Sequence, residues 1–255
     1  MALDELLMHW QLKGDFLPTL RFYEWETPTL TIGHFQKVER NINLNFIKDN
    51  NISFVRRQTG GRAVLHNNEL TYSVTLKESY PNMPSDITSA YRVISMGLLQ
   101  GYKNLNLSAT FAVPDTKLQE AIKTAVCFDT PSMYEIVVQG KKIAGSAQVR
   151  KNGIILQHGS VPLSMDVDLL YNLFLFPSEK LKQRMKKDFI NKATCIGEFV
   201  GSHVKVSDLI SPFYKGFEGG LNINLIPYTL TKKEEEQVIQ LAKDKYESDA
   251  WNMKL

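Results

Sequence analysis

The segment from Ala125 to Gln148, AVCFDTPSMYEIVVQGKKIAGSAQ, decides how this chain is read. Tyr134, Ile136, Val137 and Val138 form an apolar, strand-like run, and Gln139-Gly140 marks a turn. Lys141-Lys142 and the small residues Ala144-Gly145-Ser146-Ala147 follow as the return strand. Small side chains let another backbone or a ligand come close to a strand. A lysine just ahead of them can hold a carbonyl or an anion over that surface. Cys127 lies fifteen positions before Lys142 and can fold back beside it. A neighbouring cation stabilises the thiolate, which is the nucleophilic form of cysteine. The pattern suits acyl transfer. It also suits an ordinary glycine-rich hairpin that follows a buried cysteine, since free cysteines often behave as small hydrophobes. The second cysteine, Cys195 in the helix-like NKATCIGEFVG, reads as core.

A second stretch, RRQTGGRAVLHNNELTYSVTL over residues 56–76, has related chemistry. Gly60-Gly61 supplies positive φ and bare backbone N–H groups between two strands. Arg56, Arg57 and Arg62 surround the pair, Thr59 precedes it, and His66 ends the following strand. Such a loop can receive a carbonyl, a carboxylate or a phosphate. A tight hairpin with solvated arginines is the plainer reading. The Gly-Lys-Ser/Thr ending of a Walker A loop is missing.

The remaining elements follow from local signals. Leu3, Leu6, Leu7 and Trp10 recur at helical spacing over residues 2–13, with Gly14 placed to stop the helix. Strands are expected at 19–25, 29–36, 52–59 and 109–113, and a short helix over residues 44–49. Asp86 caps a long helix that runs to about residue 104, and the polar residues 114–124 read as a mobile loop. Asn152-Gly153 is a hairpin turn, and the strand after it carries His158 and Gly159, a possible pocket wall. Helices are expected over 166–174, 178–187 and 207–219, ended by Gly219-Gly220, with a late strand in LNINLI. Thr231 and Glu234 form a capping box for a charged final helix that reads as a surface appendage.

Composition sets outer bounds. With 255 residues, 43% hydrophobic and 22% charged, the chain is an ordinary globular protein with room for a substantial core. A net charge of +3 is too small to argue for nucleic acid but fits an acidic protein partner. Two cysteines make no disulfide framework, and no apolar run approaches the ~20 residues of a membrane span. Cytoplasmic location, no membrane contact and no metal site are expected.

RRQTGGRAVLH followed by ELTYSV, and GKKIAGSAQ followed by ILQHGSVPL, resemble the two signature regions of the biotin/lipoate protein ligase and lipoyl transferase superfamily. The segment CFDTPSMYE is similar to the cysteine loop of its LipM-type octanoyltransferases. The resemblance implies an α/β (α+β) fold: a mixed sheet, a second smaller sheet and flanking helices. The catalytic domain should cover about residues 10–225, with a helical extension over 226–255. The implied activity is transfer of an octanoyl group from octanoyl-acyl carrier protein to the lipoyl-domain lysine of the glycine cleavage H protein. No cofactor is expected to take part, and a monomer is expected.

On this resemblance Cys127 is the acyl-thioester cysteine and Lys142 the lysine that activates it. Arg57, Thr59, Gly60, Gly61, Arg62 and His66 form one part of the acyl pocket; Gly145, Ser146, Ala147, His158 and Gly159 form the facing part. Because adjacent side chains on a strand point to opposite faces, Lys142 rather than Lys141 should face the pocket. Family members usually carry a further N-terminal segment with a first strand, whereas this chain starts within the motif that follows it. The rival readings are an ATP-dependent lipoate–protein ligase, an amidotransferase that takes octanoyl from H protein to other lipoyl domains, and a non-catalytic lipoyl-domain-binding protein.

Overall fold

The structure, a computed structural model, describes residues 1–39, 41–112, 134–201 and 203–254; Cys127 and the loop expected over 114–124 lie outside these. The N-terminal half runs α1 (Ala2–Lys13), β1 (Thr19–Tyr23), β2 (Thr29–Ile32), α2 (Leu44–Asp49), β3 (Ser53–Arg56), β4 (Val64–His66), β5 (Glu69–Lys77) and α3 (Ile87–Asn104). Then come β6 (Thr110–Phe111), β7 (Ile136–Val138), β8 (Lys141–Lys142), β9 (Gly145–Lys151) and β10 (Ile154–Pro162). The C-terminal part is helical: α4 (Val167–Asn172), α5 (Glu179–Lys192), α6 (Gly197–Val200), α7 (Val206–Leu221) and α8 (Lys232–Leu241). A π-helical turn (Ala242–Tyr246) and α9 (Asp249–Asn252) complete it.

Several local signals act as the sequence suggests. Gly14 closes α1 in the left-handed conformation, and the Asp86 carboxylate accepts the Ser89 N–H at the start of α3. Gln139-Gly140 and Asn152-Gly153 both take positive φ at two successive residues, as the tight hairpins β7–β8 and β9–β10 require.

The largest sheet has the order β1-β5-β10-β9 and is antiparallel throughout. Strand β5 is buried on both faces, and its alternation assigns them. Leu70, Tyr72, Val74 and Leu76 join the main core beneath α3 and α7, together with Ile94, Leu98, Phe213 and Phe217. Glu69, Thr71, Ser73 and Thr75 point the other way, buried and polar. Helix α1 covers part of that polar face. Its Gln11 donates to the Thr75 carbonyl at 2.9 Å, and its Asp4 accepts the Ser73 hydroxyl at 2.7 Å.

Among the described residues there are two smaller sheets, where one was expected. In β3-β2-β4, β2 runs parallel to β3 and antiparallel to β4, so this small sheet is the mixed one. The Gly60-Gly61 loop therefore crosses from one side of β2 to the other instead of closing a tight hairpin. The third sheet has the order β6-β7-β8.

Helices α3 and α7 cross closely, with glycines of α7 against the α3 backbone and Phe213 and Phe217 against Gly101 and Gly97. A Cβ at Gly216 would lie 2.4 Å from the Gly101 nitrogen, and one at Gly220 would lie 2.5 Å from the Met96 carbonyl oxygen. The glycines of α7 thus serve helix packing, and the helix does not stop at Gly219-Gly220; it runs on to Leu221 and ends at Asn222 in the left-handed conformation. LNINLI forms no strand. Leu225 instead bonds back to α7, its N–H to Glu218 and its carbonyl to the Tyr214 hydroxyl.

The C-terminal extension is tied into the body. Arg56, fully buried, donates to the carbonyls of Gly33, His34, Gln36, Trp251, Asn252 and Lys254. An arginine read as solvated charge is a structural post joining the loop after β2 to the chain end. Among the described residues, no helix is long and apolar enough to cross a membrane.

Candidate active site

Strands from all three sheets and the end of α5 enclose a cavity of about 180 Å³. The β3–β4 crossover and β4 supply Gly61, Arg62 and His66; β8, β9 and β10 supply Lys142, Gly145, Ser146, Ala147, His158 and Gly159. Arg57 also reaches it, and Phe189 and Ala193 close another side. These ten positions expected from the sequence share one cavity. Thr59 and Gly60 stand behind its wall. The Arg57 guanidinium donates to Thr59 Oγ1 at 3.1 Å and to the carbonyls of Gly60 and Arg62 at 2.8 and 2.7 Å. Arg57 therefore braces the glycine loop from inside the protein, where the plainer reading had it solvated.

His158 faces a polar group at each ring nitrogen and hydrogen-bonds at Nε2. Thr59 Oγ1 accepts from Arg57 and also hydrogen-bonds His158 Nε2, 2.7 Å away. Nδ1 faces Asp4 Oδ2 at 3.6 Å. Burial pulls the imidazole below its ordinary value and outweighs the opposing pull of Asp4, leaving His158 neutral near neutral pH. Burial alone would raise the Asp4 carboxyl. The Arg21 guanidinium at 2.7 Å is the leading opposing influence, and Asp4 ends well below the usual carboxylate range.

The polar face of β5 adds residues that the motifs did not single out. Glu69 is buried and accepts from His66 Nδ1 and Thr71 Oγ1, each at 2.6 Å, and from the Ser160 hydroxyl. His66 Nε2 meets Thr31 Oγ1 at 2.9 Å, and its ring stacks on Trp25 with centroids 4.6 Å apart. Glu69 thereby couples β4, β5 and β10 across the cavity floor. Alternation in ELTYSVTLK carried the signal: its odd-numbered positions are polar yet lie on a buried strand.

Lys142 faces this cavity and Lys141 does not, as strand alternation requires. Lys142 Nζ lies 2.5 Å from Glu135 Oε1, and its carbonyl accepts the Thr194 N–H at 2.9 Å. Nearby, the Tyr72 hydroxyl donates to Ser146 Oγ at 2.9 Å and receives Gln157 Nε2 at 3.0 Å. Burial pushes the Tyr91 phenol up to about 12 against a hydrogen bond to Ser146, and the Glu135 carboxylate adds to the rise. Gly159 permits the close approach of β9 and β10, since a Cβ there would lie 2.4 Å from the Gly145 carbonyl oxygen.

Cys195 is outside the cavity wall. It sits just ahead of α6, buried, and burial raises its thiol above the ordinary value. Among the described residues no three of His, Cys, Asp and Glu come together as a metal site. The site therefore offers an apolar slot with one lysine and a row of small residues along its edge.

Residues 1–218 match the family described as Lipoyl protein ligase A/B catalytic domain. The chain belongs to that family. Over its full length it is 55% identical to the Octanoyltransferase LipM of Bacillus cereus, covering 93% of that protein. It is 50% identical, again over its full length, to the Octanoyltransferase LipM of Bacillus subtilis, covering 93% of it. Among solved structures, the bipartite lipoate protein ligase of Thermoplasma acidophilum superposes with a TM-score of 0.79 at 27% identity, covering 99% of this chain and 89% of that one. A lipoate-protein ligase A bound with ATP gives a TM-score of 0.76 at 27% identity, covering 99% of this chain and 92% of that one. Within the family this chain is an acyltransferase of the LipM type.

Proposed function

We propose that this enzyme transfers octanoyl groups in protein lipoylation through a thioester on Cys127. The donor is octanoyl-acyl carrier protein, and the acceptor is the lipoyl-domain lysine of the glycine cleavage H protein. The observation that carries the reading is Lys142 on the wall of the slot, at the head of the small-residue strand, in a chain that matches LipM octanoyltransferases end to end. Cys127 belongs to the reading through its sequence setting.

The chemistry balances in two steps. The Cys127 thiolate attacks the donor carbonyl; the carrier thiolate leaves and takes up a proton. One thioester replaces another, so this exchange costs little free energy. The neutral acceptor amine then attacks the acyl-enzyme, loses a proton and expels the Cys127 thiolate, leaving an amide. Amide formation from a thioester is strongly downhill, and no nucleotide is consumed. A cysteine thiol near its ordinary pKa of about 8.5 is mostly protonated at neutral pH, and the Lys142 charge favours the thiolate. Backbone N–H groups beside the small-residue strand, or Lys142 itself, can receive the developing oxyanion.

Intact-mass measurement after mixing with octanoyl carrier protein, without ATP, tests this reading. One octanoyl mass, removable by hydroxylamine, is expected on the wild type and on Cys195→Ala, and none on Cys127→Ala. Transfer that survives Cys127→Ala and demands ATP would make the enzyme a ligase. Acylation by octanoyl-H protein but not by the carrier would make it an amidotransferase.

A further inference from the structure

We propose that Glu135 is a positioning residue for Lys142: its carboxylate fixes the lysine's charged end on the cavity wall. This rests on the roles given above to Cys127 and Lys142.

Lysine is a poor tool for precise electrostatics. Its long stem samples many rotamers, and ordering it costs entropy. Here the described residues hold it at two points. The Thr194 N–H anchors its carbonyl, and the register pairing Val137 with Lys142 makes Glu135 its diagonal neighbour across the hairpin. The Nζ–Oε1 distance of 2.5 Å closes the second point, with the two side chains only 16% and 14% exposed. A charge-assisted contact this sheltered is screened far less than a surface pair. Lys141 provides the contrast. One position earlier on the same strand, it pairs with no carboxylate among the described residues and is absent from the cavity wall.

The carboxylate has two opposed effects. Its own negative charge disfavours a nearby thiolate, whereas holding the lysine in place favours one. The positioning role requires the second to win. An assay of Cys127 reactivity can therefore decide by its sign.

The test measures the rate at which iodoacetamide alkylates Cys127, with peptide mass separating it from Cys195, alongside kcat and KM for octanoyl transfer. Glu135→Gln should slow alkylation and lower kcat by about tenfold or more, the equivalent of one lost hydrogen bond to a charged group, with KM little changed. Glu135→Asp should restore most of both. In a Lys142→Ala background, Glu135→Gln should add no further loss of alkylation, because its effect passes through the lysine. Faster or unchanged alkylation in Glu135→Gln, or a full further loss on top of Lys142→Ala, would overturn the positioning role. Alkylation that ignores Lys142→Ala itself would instead overturn the Cys127–Lys142 reading, and this proposal with it.

Discussion

Arg56 and Asn252, 196 positions apart, grip each other twice: the Arg56 N–H donates to Asn252 Oδ1 at 2.9 Å, and Arg56 Nη2 donates to the Asn252 carbonyl at 3.0 Å. Trp251 beside them donates its indole N–H to the Arg56 carbonyl at 2.8 Å, with Lys254 Nζ 3.5 Å from its ring centroid. Arg56→Leu removes a donor from six buried or part-buried carbonyls and releases the chain end. We expect a loss of about 3–5 kcal/mol, as for other broken buried charge networks. Deleting the residues after Leu241 should lower the urea midpoint by a comparable amount. A surface appendage would produce no such loss.

The two glycines on either side of the cavity edge separate folding from substrate fit. A Cβ on Gly159 would clash with the Gly145 carbonyl oxygen and the Tyr72 ring, so Gly159→Ala should cost about 1–3 kcal/mol of stability. A Cβ on Gly145 meets nothing within 4 Å, yet Gly145 lines the cavity. Gly145→Val should therefore leave the melting temperature nearly unchanged while raising KM for the octanoyl donor. Equal melting losses in both variants would count against this assignment of the cavity edge.

Lys141 and Lys142 offer an internal control on strand orientation. Lys142→Ala should lower octanoyl transfer by at least about a hundredfold, the scale of a lost electrostatic group in an acyl-transfer site. Lys141→Ala should stay within about twofold, as expected for an exchange away from the reacting groups. Comparable losses in steady-state assays of the two variants would contradict the alternation that turns only Lys142 toward the cavity.

What could be read from the chain depended on how local the signal was. Gln139-Gly140, Asn152-Gly153, Asp86 and Thr231 each act within four residues, and each does what its chemistry dictates. Pairing is a different matter. Residues 19–23 and 29–32 look like neighbours, yet one joins β5 and the other joins β3 and β4, because strand partners are chosen by packing over long sequence distances. Arg56 and Arg57 were misleading for a similar reason. An arginine reads as exposed charge until distant carbonyls converge on it, and those carbonyls belong to loops and a chain end without a motif. Glu69 went unnoticed since a carboxylate in a strand is unremarkable until both faces of that strand prove buried.

Acid should destabilise the protein in two separate windows. His158 is neutral in the folded state because burial holds its value below the ordinary 6.5. As pH falls through 6.5 the unfolded chain takes up a proton that the folded chain resists, so stability declines until the lower folded value is reached. Asp4 has the same sign at lower pH. Its folded carboxyl lies well below 3.8, so its contribution is complete above 3.8 and disappears as pH falls through the folded value. Melting curves of the wild type should thus shift downward between about pH 7 and 5, and His158→Gln should flatten that portion of the profile. Asp4→Asn should be less stable at neutral pH and keep the decline that begins near 6.5. A His158→Gln profile parallel to the wild type would show that a different group controls the first window.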